Sequence, residues 1–143
     1  MYRALNLILI DDDEEVLQML QLLFASLEVT VTAFSNPEHA LEFIELHLDE
    51  IDGVLSDVHM EPFSGIELLK KVRLLYTTFP FYLMSANAAE EDVLRACSDD
   101  LTGFLQKSAV CTQLTCLVDS LKQRRSINAL PFDRSGTSLH QSG

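Results

Sequence analysis

Carboxylate, hydroxyl and amine side chains stand at the ends of several short apolar runs in this chain of 143 residues. Asp11 and Asp12 follow the first run, Asp57 ends the third, Ser85 ends the fourth and Lys107 ends the fifth. A carboxylate can act as a nucleophile and form an aspartyl phosphate. Phosphoryl transfer also requires neutralisation of the charge on the transferring oxygens, which Mg²⁺ bound by carboxylates supplies. These residue types therefore predict an aspartate that accepts a phosphoryl group beside Mg²⁺.

The other side chains have roles that follow from their chemistry. Lys107 would pair with one phosphoryl oxygen as a point charge, and the hydroxyl of Ser85 would donate a hydrogen bond to another. Each residue alone also has an ordinary explanation, because acidic residues favour the start of a helix and Asp and Ser are common in turns. Sites in open parallel sheets form at the carboxyl ends of strands, so joint placement at that edge favours a shared site.

The elements that must position these side chains are predicted as five strands alternating with five helices. Continuous apolar runs indicate strands buried on both faces, as in a parallel sheet. Every connection is long enough to hold a helix, which favours right-handed parallel crossovers. The predicted strands are Leu5–Ile10, Val29–Phe34, Gly53–Ser56, Phe81–Ser85 and Gly103–Gln106.

Helix starts and buried helix faces are predicted from caps and apolar spacing. Asn36 before Pro37 indicates a cap followed by proline at the first helical position. Ser64 and Asn87, each with Glu three residues later, indicate two further caps. The predicted buried faces are Val16, Leu20, Leu23 and Leu27; Leu41, Ile44 and Leu48; Ile66, Leu69 and Val72; Val93 with Ala96 or Cys97; and Leu114, Leu117 and Leu121.

Composition predicts one globular domain over residues 1–125, followed by a polar tail or linker stub over residues 126–143. Apolar residues make up 48% of the chain, and the formal net charge is −12. A surface this acidic repels phosphate backbones, so direct nucleic-acid binding is not expected. With neither a membrane-spanning run nor a secretory signal pattern, the expected location is the cytoplasm.

The cysteines predict structural thiols rather than a disulfide framework. There are three of them, Cys97, Cys111 and Cys116, and an odd number argues against a secreted disulfide scaffold. Their spacing does not fit a zinc site. Cys111 and Cys116 are expected on one helix as buried thiols, since free cysteine is usually buried.

Four spaced motifs together resemble the receiver domain of two-component response regulators, including the single-domain chemotaxis type. The resemblance covers about Leu5 to Lys122 and implies a doubly wound, flavodoxin-like α/β fold of five βα units. It also implies a parallel sheet of strand order 2-1-3-4-5 with helices on both faces. The motifs are Leu9-Ile10-Asp11-Asp12-Asp13, Asp57-Val58-His59-Met60 with Gly65, Leu83-Met84-Ser85-Ala86 and Phe104-Leu105-Gln106-Lys107.

The resemblance implies a set of metal ligands around the phosphoacceptor. Asp57 is the residue implied to accept the phosphoryl group. Mg²⁺ is implied to be bound by Asp11, Asp12 and Asp57, with Asp12 as a direct ligand and the backbone carbonyl of His59 as a further protein ligand.

The resemblance also implies how the site would signal. Ser85 and Lys107 would contact the phosphoryl group. Ser85 would shift toward the phosphate while the ring of Phe104, which replaces the family's commoner Tyr, fills the vacated space. His59 and Asn87 would flank the phosphoryl group and influence the rate of dephosphorylation.

The chain departs from the family pattern beside the site. Ser108 follows Lys107, where the family has proline preceded by a cis peptide bond. A cis bond without proline costs about 3–4 kcal/mol, so the loop is either strained or trans with Lys107 aimed differently. Glu61 replaces the family's usual proline, which here comes one place later at Pro62, and Asp100 stands where glycine is common.

By resemblance, the expected function is a phosphorylation-driven signalling switch rather than an enzyme, apart from catalysis of its own phosphorylation and dephosphorylation. The implied partners are a sensor histidine kinase or histidine phosphotransfer protein, a downstream protein or output domain, and a second copy in a homodimer. One alternative is a receiver-like protein-binding module that is not phosphorylated. Another is a phosphatase of the aspartyl-phosphate type, which would usually carry a second Asp at the position of His59.

Overall fold

Five parallel strands form one sheet in the computed structural model, which describes residues 4–75, 77–86, 91–97 and 99–128. Two short 3-10 turns cover Leu48–Glu50 and Lys107–Ala109. The elements in chain order are β1 Leu5–Ile10, α1 Glu14–Ser26, β2 Val29–Phe34, α2 Pro37–Leu46, β3 Gly53–Asp57, α3 Gly65–Arg73, β4 Phe81–Ser85, α4 Glu91–Ala96, β5 Thr102–Gln106 and α5 Val110–Asn128. The spatial order β2-β1-β3-β4-β5 confirms the predicted fold class.

The central strands are buried on both faces, as their continuous apolar sequence predicts. In β1, Leu7 and Leu9 pack with residues of α1 and α5 on one face of the sheet. Ile8 and Ile10 point to the other face and pack with residues of α2, α3 and α4. Successive side chains of a strand point to opposite faces, so one apolar strand contributes to both halves of the core.

The predicted strand bounds are close to the observed ones. β1, β2 and β4 have the predicted bounds, whereas β3 extends to Asp57 and β5 begins at Thr102. Asn36 caps α2 by accepting a hydrogen bond at 2.8 Å from a first-turn N–H, and Ser64 caps α3 in the same way at 3.1 Å. The predicted cap at Asn87 lies outside the described residues.

The predicted buried face of α1 is confirmed at Leu20 and is otherwise displaced by about one residue. The buried side chains are Leu17, Leu20 and Phe24, whereas the predicted Val16, Leu23 and Leu27 are half-buried at the margin of the core. The helix has apolar residues on more than one stripe, so spacing alone does not select the stripe that faces the sheet. Packing against the sheet makes that selection.

The other helices agree with prediction in part. In α2 the buried residues are Pro37, Ala40 and Ile44 rather than the predicted set of Leu41, Ile44 and Leu48. In α3, Leu69 and Val72 are buried as predicted, while Ile66 is half-buried. The predicted faces of α4 and α5 are confirmed by the buried residues Val93, Leu114, Leu117 and Leu121.

The predicted burial of two cysteines is also wrong. Cys111 and Cys116 both lie on α5, as expected, but both are exposed. The buried stripe of α5 runs through Val110, Leu114 and Leu117, which leaves the two thiols on the outward surface. Cys97 is half-buried, and burial together with the neighbouring Asp99 raises the pKa of its thiol.

The C-terminal helix continues slightly beyond the predicted domain end. α5 ends at Asn128, and residues 129–143 lie outside the described part of the chain. The polar tail or linker stub therefore stays a prediction. Among the described helices, none has both the length and the apolar character needed to cross a membrane.

Candidate functional site

Four strand ends bring the predicted site residues to one edge of the sheet. Asp11 follows β1, Asp57 ends β3, Ser85 ends β4 and Lys107 follows β5. Asp11 is 0% exposed, Ser85 1% and Asp57 5%, whereas Asp12 is exposed to solvent. Buried polar side chains are informative because burial of an ionised carboxylate is costly without compensating charge. The site therefore requires cations close to Asp11 and Asp57.

Three carboxylates converge at this edge. Asp11, Asp12 and Asp57 each offer one oxygen, and these oxygens all lie within 4.8 Å of one another. Burial is the main cause that raises the pKa of Asp57, and the nearby negative charges of Asp11 and Asp12 act in the same direction. Lys107 opposes this effect but does not reverse it. The ionised cluster is therefore short of positive charge.

Lys107 is the basic side chain that reaches into the cluster. Its Nζ lies 2.9 Å from Asp11 Oδ2 and 3.3 Å from Asp57 Oδ2. Partial burial disfavours its charge, but attraction to Asp11 and Asp57 outweighs this and raises the pKa of Lys107 above its usual value. The ammonium group thus stays charged between the two carboxylates.

The peptide bond after Lys107 is trans. In the described part of the chain, the cis peptide bond is that between Glu61 and Pro62. Of the two alternatives for the Lys107–Ser108 loop, the trans form is therefore the one observed. In this trans form Lys107 begins a 3-10 turn, from which its side chain contacts Asp11 and Asp57.

The donor set fits Mg²⁺. Magnesium binds through oxygen ligands and is usually held by one or two carboxylates with several waters. Asp11 Oδ1 accepts a hydrogen bond from the N–H of Asp13 at 2.9 Å. Asp11 Oδ2 is buried, and its contact is with the ammonium of Lys107 at 2.9 Å. The exposed carboxylate of Asp12 is open to a cation from solvent, whereas Asp11 Oδ2 is in contact with the ammonium of Lys107.

The acidic residues that follow β1 serve two different functions, one at the start of α1 and one at the buried edge of the sheet. Asp13 is the N-cap of α1, and its side chain accepts hydrogen bonds from the N–H groups of Glu15 at 3.0 Å and Val16 at 3.4 Å. The ordinary explanation of an acidic helix start is therefore correct for Asp13. Asp11 instead points into the buried edge of the sheet, where it meets Lys107.

Ser56 and Gly65 contact the backbone of Asp57. Ser56 is fully buried, and its hydroxyl donates a hydrogen bond at 2.9 Å to the carbonyl oxygen of Asp57. Gly65 begins α3 so close to this carbonyl that a Cβ built on it would lie 2.2 Å from the oxygen. Sequence reasoning missed the role of Ser56, although a lone polar residue inside an apolar strand was a visible signal.

The predicted switch residues share one face of the sheet. Leu83 pairs with Phe104 across β4 and β5, and Ser85 lies two residues further along on the same face. Phe104 is half-buried against the core that contains α2, α3 and α4. His59 is exposed in the loop after β3, and Asn87 lies outside the described residues. The predicted roles of these residues stay predictions.

Comparison with known proteins identifies the class to which this fold and site belong. A family model described as the response regulator receiver domain matches residues 7–119. The chain therefore belongs to the response regulator receiver family of two-component signalling. Receiver domains of this family are signalling domains rather than enzymes in the usual sense.

Similar proteins include longer response regulators of plants. The chain is 32% identical over 104 residues to the two-component response regulator ARR14 of Arabidopsis thaliana, covering 73% of this chain and 27% of that protein. It is 27% identical over 126 residues to the two-component response regulator ORR24 of Oryza sativa subsp. indica, which covers 88% of this chain and 20% of that protein. The chain thus spans only about a fifth to a quarter of the length of these relatives.

Solved structures show the same fold. The chemotaxis protein CheY4 of Vibrio cholerae has a TM-score of 0.74 and 21% identity, with coverage of 83% of this chain and 99% of that chain. A response regulator receiver domain protein of Clostridium thermocellum has a TM-score of 0.79 and 18% identity, with coverage of 87% of this chain and 98% of that chain. At these identities the likeness supports the fold alone.

Proposed function

We propose that Asp57 accepts a phosphoryl group in a Mg²⁺-dependent reaction and that this modification switches a protein-binding face of the domain. The observation that carries the proposal is the position of Lys107 Nζ, at 2.9 Å from Asp11 and 3.3 Å from Asp57. A cation that bridges a nucleophilic carboxylate and a second carboxylate is suited to follow the developing phosphoryl charge.

The transfer step breaks one bond and forms one. A carboxylate oxygen of Asp57 attacks the phosphorus of a phosphohistidine, the P–N bond breaks, and the imidazole leaves with its electron pair and takes a proton from solvent. Asp11, Asp12 and Asp57 would hold Mg²⁺, which would neutralise charge on the phosphoryl oxygens when bound. Lys107 exchanges its contact with the Asp57 carboxylate for a phosphoryl oxygen, and Ser85 donates a hydrogen bond to another.

The readout proposed for this chain involves the β4–β5 face. Movement of Ser85 toward the phosphoryl group vacates space into which the ring of Phe104 turns, and this repacks the surface made by α4, β5 and α5. The phosphoryl group thereby shifts the equilibrium between two arrangements of Ser85 and Phe104 that both exist without it. The backbone carbonyl of His59 is proposed as a further metal ligand. The side chains of His59 and Asn87 are proposed to influence the lifetime of the phosphorylated state.

The proposed partners are a sensor histidine kinase or histidine phosphotransfer protein and a downstream protein or output domain. A homodimer through the switching face is a further proposal. We place the domain in the cytoplasm, because three free thiols at Cys97, Cys111 and Cys116 suit a reducing compartment. The domain is also proposed to catalyse its own phosphorylation and dephosphorylation.

Intact-mass measurement tests the proposal directly. The protein is incubated with Mg²⁺ and a small phosphodonor such as acetyl phosphate, and the expected result is one phosphoryl adduct that is absent in Asp57→Asn. Loss of the adduct in EDTA would agree with a metal requirement. An adduct of equal yield in Asp57→Asn would contradict the assignment of Asp57.

The same experiment separates the alternatives. Absence of an adduct together with absence of Mg²⁺ binding would favour a receiver-like binding module that is not phosphorylated. Multiple-turnover hydrolysis of phosphate esters would favour a phosphatase. To test the lifetime, the rate constant for loss of the phosphoryl group is measured in the wild type, His59→Ala and Asn87→Ala. An unchanged rate constant in both variants would contradict the proposed role of these residues.

A further inference from the structure

The backbone at the end of β3 is held by contacts that do not involve the reacting groups. Ser56 is the last residue before Asp57, and its side chain lies on the face of the sheet covered by α3, as does that of Val54 two residues earlier. The hydroxyl of Ser56 is completely buried and donates to the Asp57 carbonyl oxygen at 2.9 Å. A buried hydroxyl is costly to leave without a partner, so this hydrogen bond favours the observed orientation of the Asp57 carbonyl.

Gly65 contacts the same carbonyl group from the start of α3. A Cβ at this position would lie 2.2 Å from the carbonyl oxygen of Asp57, 3.1 Å from its carbonyl carbon and 3.0 Å from Ser56 Oγ. The first of these distances is far inside van der Waals contact, and the atom involved is backbone. Any side chain at residue 65 therefore has to displace either the first turn of α3 or the end of β3.

Gly65 also closes the loop that follows Asp57. Its N–H donates a hydrogen bond at 2.8 Å to the carbonyl oxygen of Val58, and the N–H of Val58 donates at 2.9 Å to Met84 of β4. The loop over residues 58–65 thus starts and ends at fixed points beside the site. This loop carries His59, whose carbonyl is a proposed metal ligand.

We propose that Ser56 and Gly65 are positioning residues that hold the Asp57 backbone, and the loop after it, in the geometry that phosphoryl acceptance and metal binding require. The inference rests on the proposed function of Asp57. Ser56 orients the carbonyl by its hydrogen bond, and Gly65 lets α3 approach closely enough to keep Asp57 in place. A displacement of about 1 Å can cost on the order of 100-fold in a positioned reaction.

Three variants test the two contacts separately. Gly65→Ala is expected to lower the rate constant for phosphorylation by acetyl phosphate about 10- to 100-fold. Ser56→Ala, which removes one hydrogen bond without adding bulk, is expected to lower it about fivefold. Ser56→Cys replaces the hydroxyl with a somewhat larger thiol that is only a weak donor, so its rate constant should be no higher than that of Ser56→Ala.

A second readout does not depend on phosphorylation. Mg²⁺ affinity, measured by calorimetric titration of the protein without a phosphodonor, is expected to fall in Gly65→Ala and Ser56→Ala. In an amide NMR spectrum, Asp57 and the residues of the 58–65 loop should shift more than residues at the opposite end of β3. These measurements are made well below the unfolding temperature of each variant.

Matched controls separate positioning from loss of stability. Gly53→Ala introduces a Cβ at the other end of β3, 3.0 Å from the side chain of Leu121. Thr102→Val removes a buried hydroxyl at the start of β5, far along the strand from the site. Both controls alter local packing and are expected to leave the phosphorylation rate constant and Mg²⁺ affinity within about twofold of the wild type.

The outcomes distinguish this inference from the function on which it rests. If the wild type forms no adduct, the proposed function fails. If the wild type is phosphorylated and Ser56→Ala and Gly65→Ala match it in rate constant and Mg²⁺ affinity, the positioning role is wrong. If Gly65→Ala does not fold, Ser56→Ala still decides the question, because it removes the hydrogen bond to the Asp57 carbonyl without adding bulk beside it.

Discussion

The ammonium group of Lys107 lies 2.9 Å from the buried carboxylate of Asp11, and this pair connects the end of the edge strand β5 to the end of β1 near the centre of the sheet. The same nitrogen is 3.3 Å from Asp57. Lys107 is 27% exposed, so it is accessible from solvent while Asp11 is not. One cation therefore partly neutralises two buried acids while its own side chain stays partly open to solvent.

Replacement of Asp57 by Asn is expected to stabilise the domain. Burial and the charge of Asp11 raise the pKa of Asp57, so its ionised form is less favourable in the folded state than in the unfolded chain. The gain should be seen near pH 7 without metal, as measured by urea unfolding in EDTA.

The pH dependence of this difference follows from the sign of the shift. Because the pKa of Asp57 is higher in the folded state, the wild type loses stability as pH rises. The loss begins near pH 4, the pKa of Asp in the unfolded chain, and ends above the pKa of the folded state. The difference between wild type and Asp57→Asn should therefore shrink as pH falls to this region. A difference that is unchanged from pH 7 to pH 3 would contradict the explanation.

Replacement of Lys107 by Ala is expected to destabilise the domain and to increase its response to Mg²⁺. The variant leaves Asp11 buried and Asp57 nearly so without their cation, and a cost of about 1–3 kcal/mol is expected after allowance for the partial exposure of Lys107. Thermal unfolding with and without Mg²⁺ measures both effects.

Lys122→Ala is the control for this experiment, since Lys122 is exposed on α5. It should change stability by less than about 0.5 kcal/mol and should not alter the Mg²⁺ response. If Lys107→Ala behaved like Lys122→Ala, the contact with the carboxylates would have no energetic role.

Replacement of Glu28 by Gly is expected to stabilise the turn between α1 and β2. Glu28 has φ of 60°, a left-handed conformation that disfavours residues with a Cβ. Relief of this cost should exceed the extra entropy that glycine has in the unfolded chain, with a net gain of about 0.5–1 kcal/mol in chemical denaturation. Glu28→Ala keeps the unfavourable conformation and should show no such gain, so equal stability of the two variants would refute the explanation.

Replacement of Arg73 by Lys is expected to destabilise the domain nearly as much as replacement by Ala. The guanidinium donates from one nitrogen to Thr77 Oγ1 at 3.1 Å and to Phe79 O at 2.9 Å, and from another to Leu101 O at 3.1 Å. These hydrogen bonds of the forked guanidinium connect the end of α3 to the segment that precedes β4 and to the residue that precedes β5. An ammonium cannot reproduce the geometry.

Denaturant unfolding of Arg73→Ala and Arg73→Lys checks this point. A loss of about 2–3 kcal/mol is expected in the Ala variant. Lys70, which is exposed on the same helix, offers a control in Lys70→Ala, whose stability should stay close to the wild-type value. Full recovery of stability by Arg73→Lys would show that charge, and not the fork, is what matters.

Sequence alone predicted the sheet and the composition of its functional edge. Strands buried on both faces must be continuously apolar, so runs such as Leu7 to Ile10 predicted their own positions. The end of each run then predicted which polar residues would meet, and Asp11, Asp57, Ser85 and Lys107 do lie at that edge. Local caps such as Asn36 and Ser64 were predictable because a cap depends only on its immediate neighbours.

Only the tertiary structure decided features that depend on contacts between distant segments. The buried stripe of α1 and the outward position of Cys111 and Cys116 depend on how each helix rotates against the sheet. The contact of Gly65 with the Asp57 carbonyl joins the start of a helix to the end of a strand. Lys107 reaches Asp11 through a trans peptide, a choice that the sequence left open between cis and trans. Sequence spacing determines which groups share a sheet edge, whereas their distances depend on packing, because side-chain direction and helix rotation are chosen by the whole core.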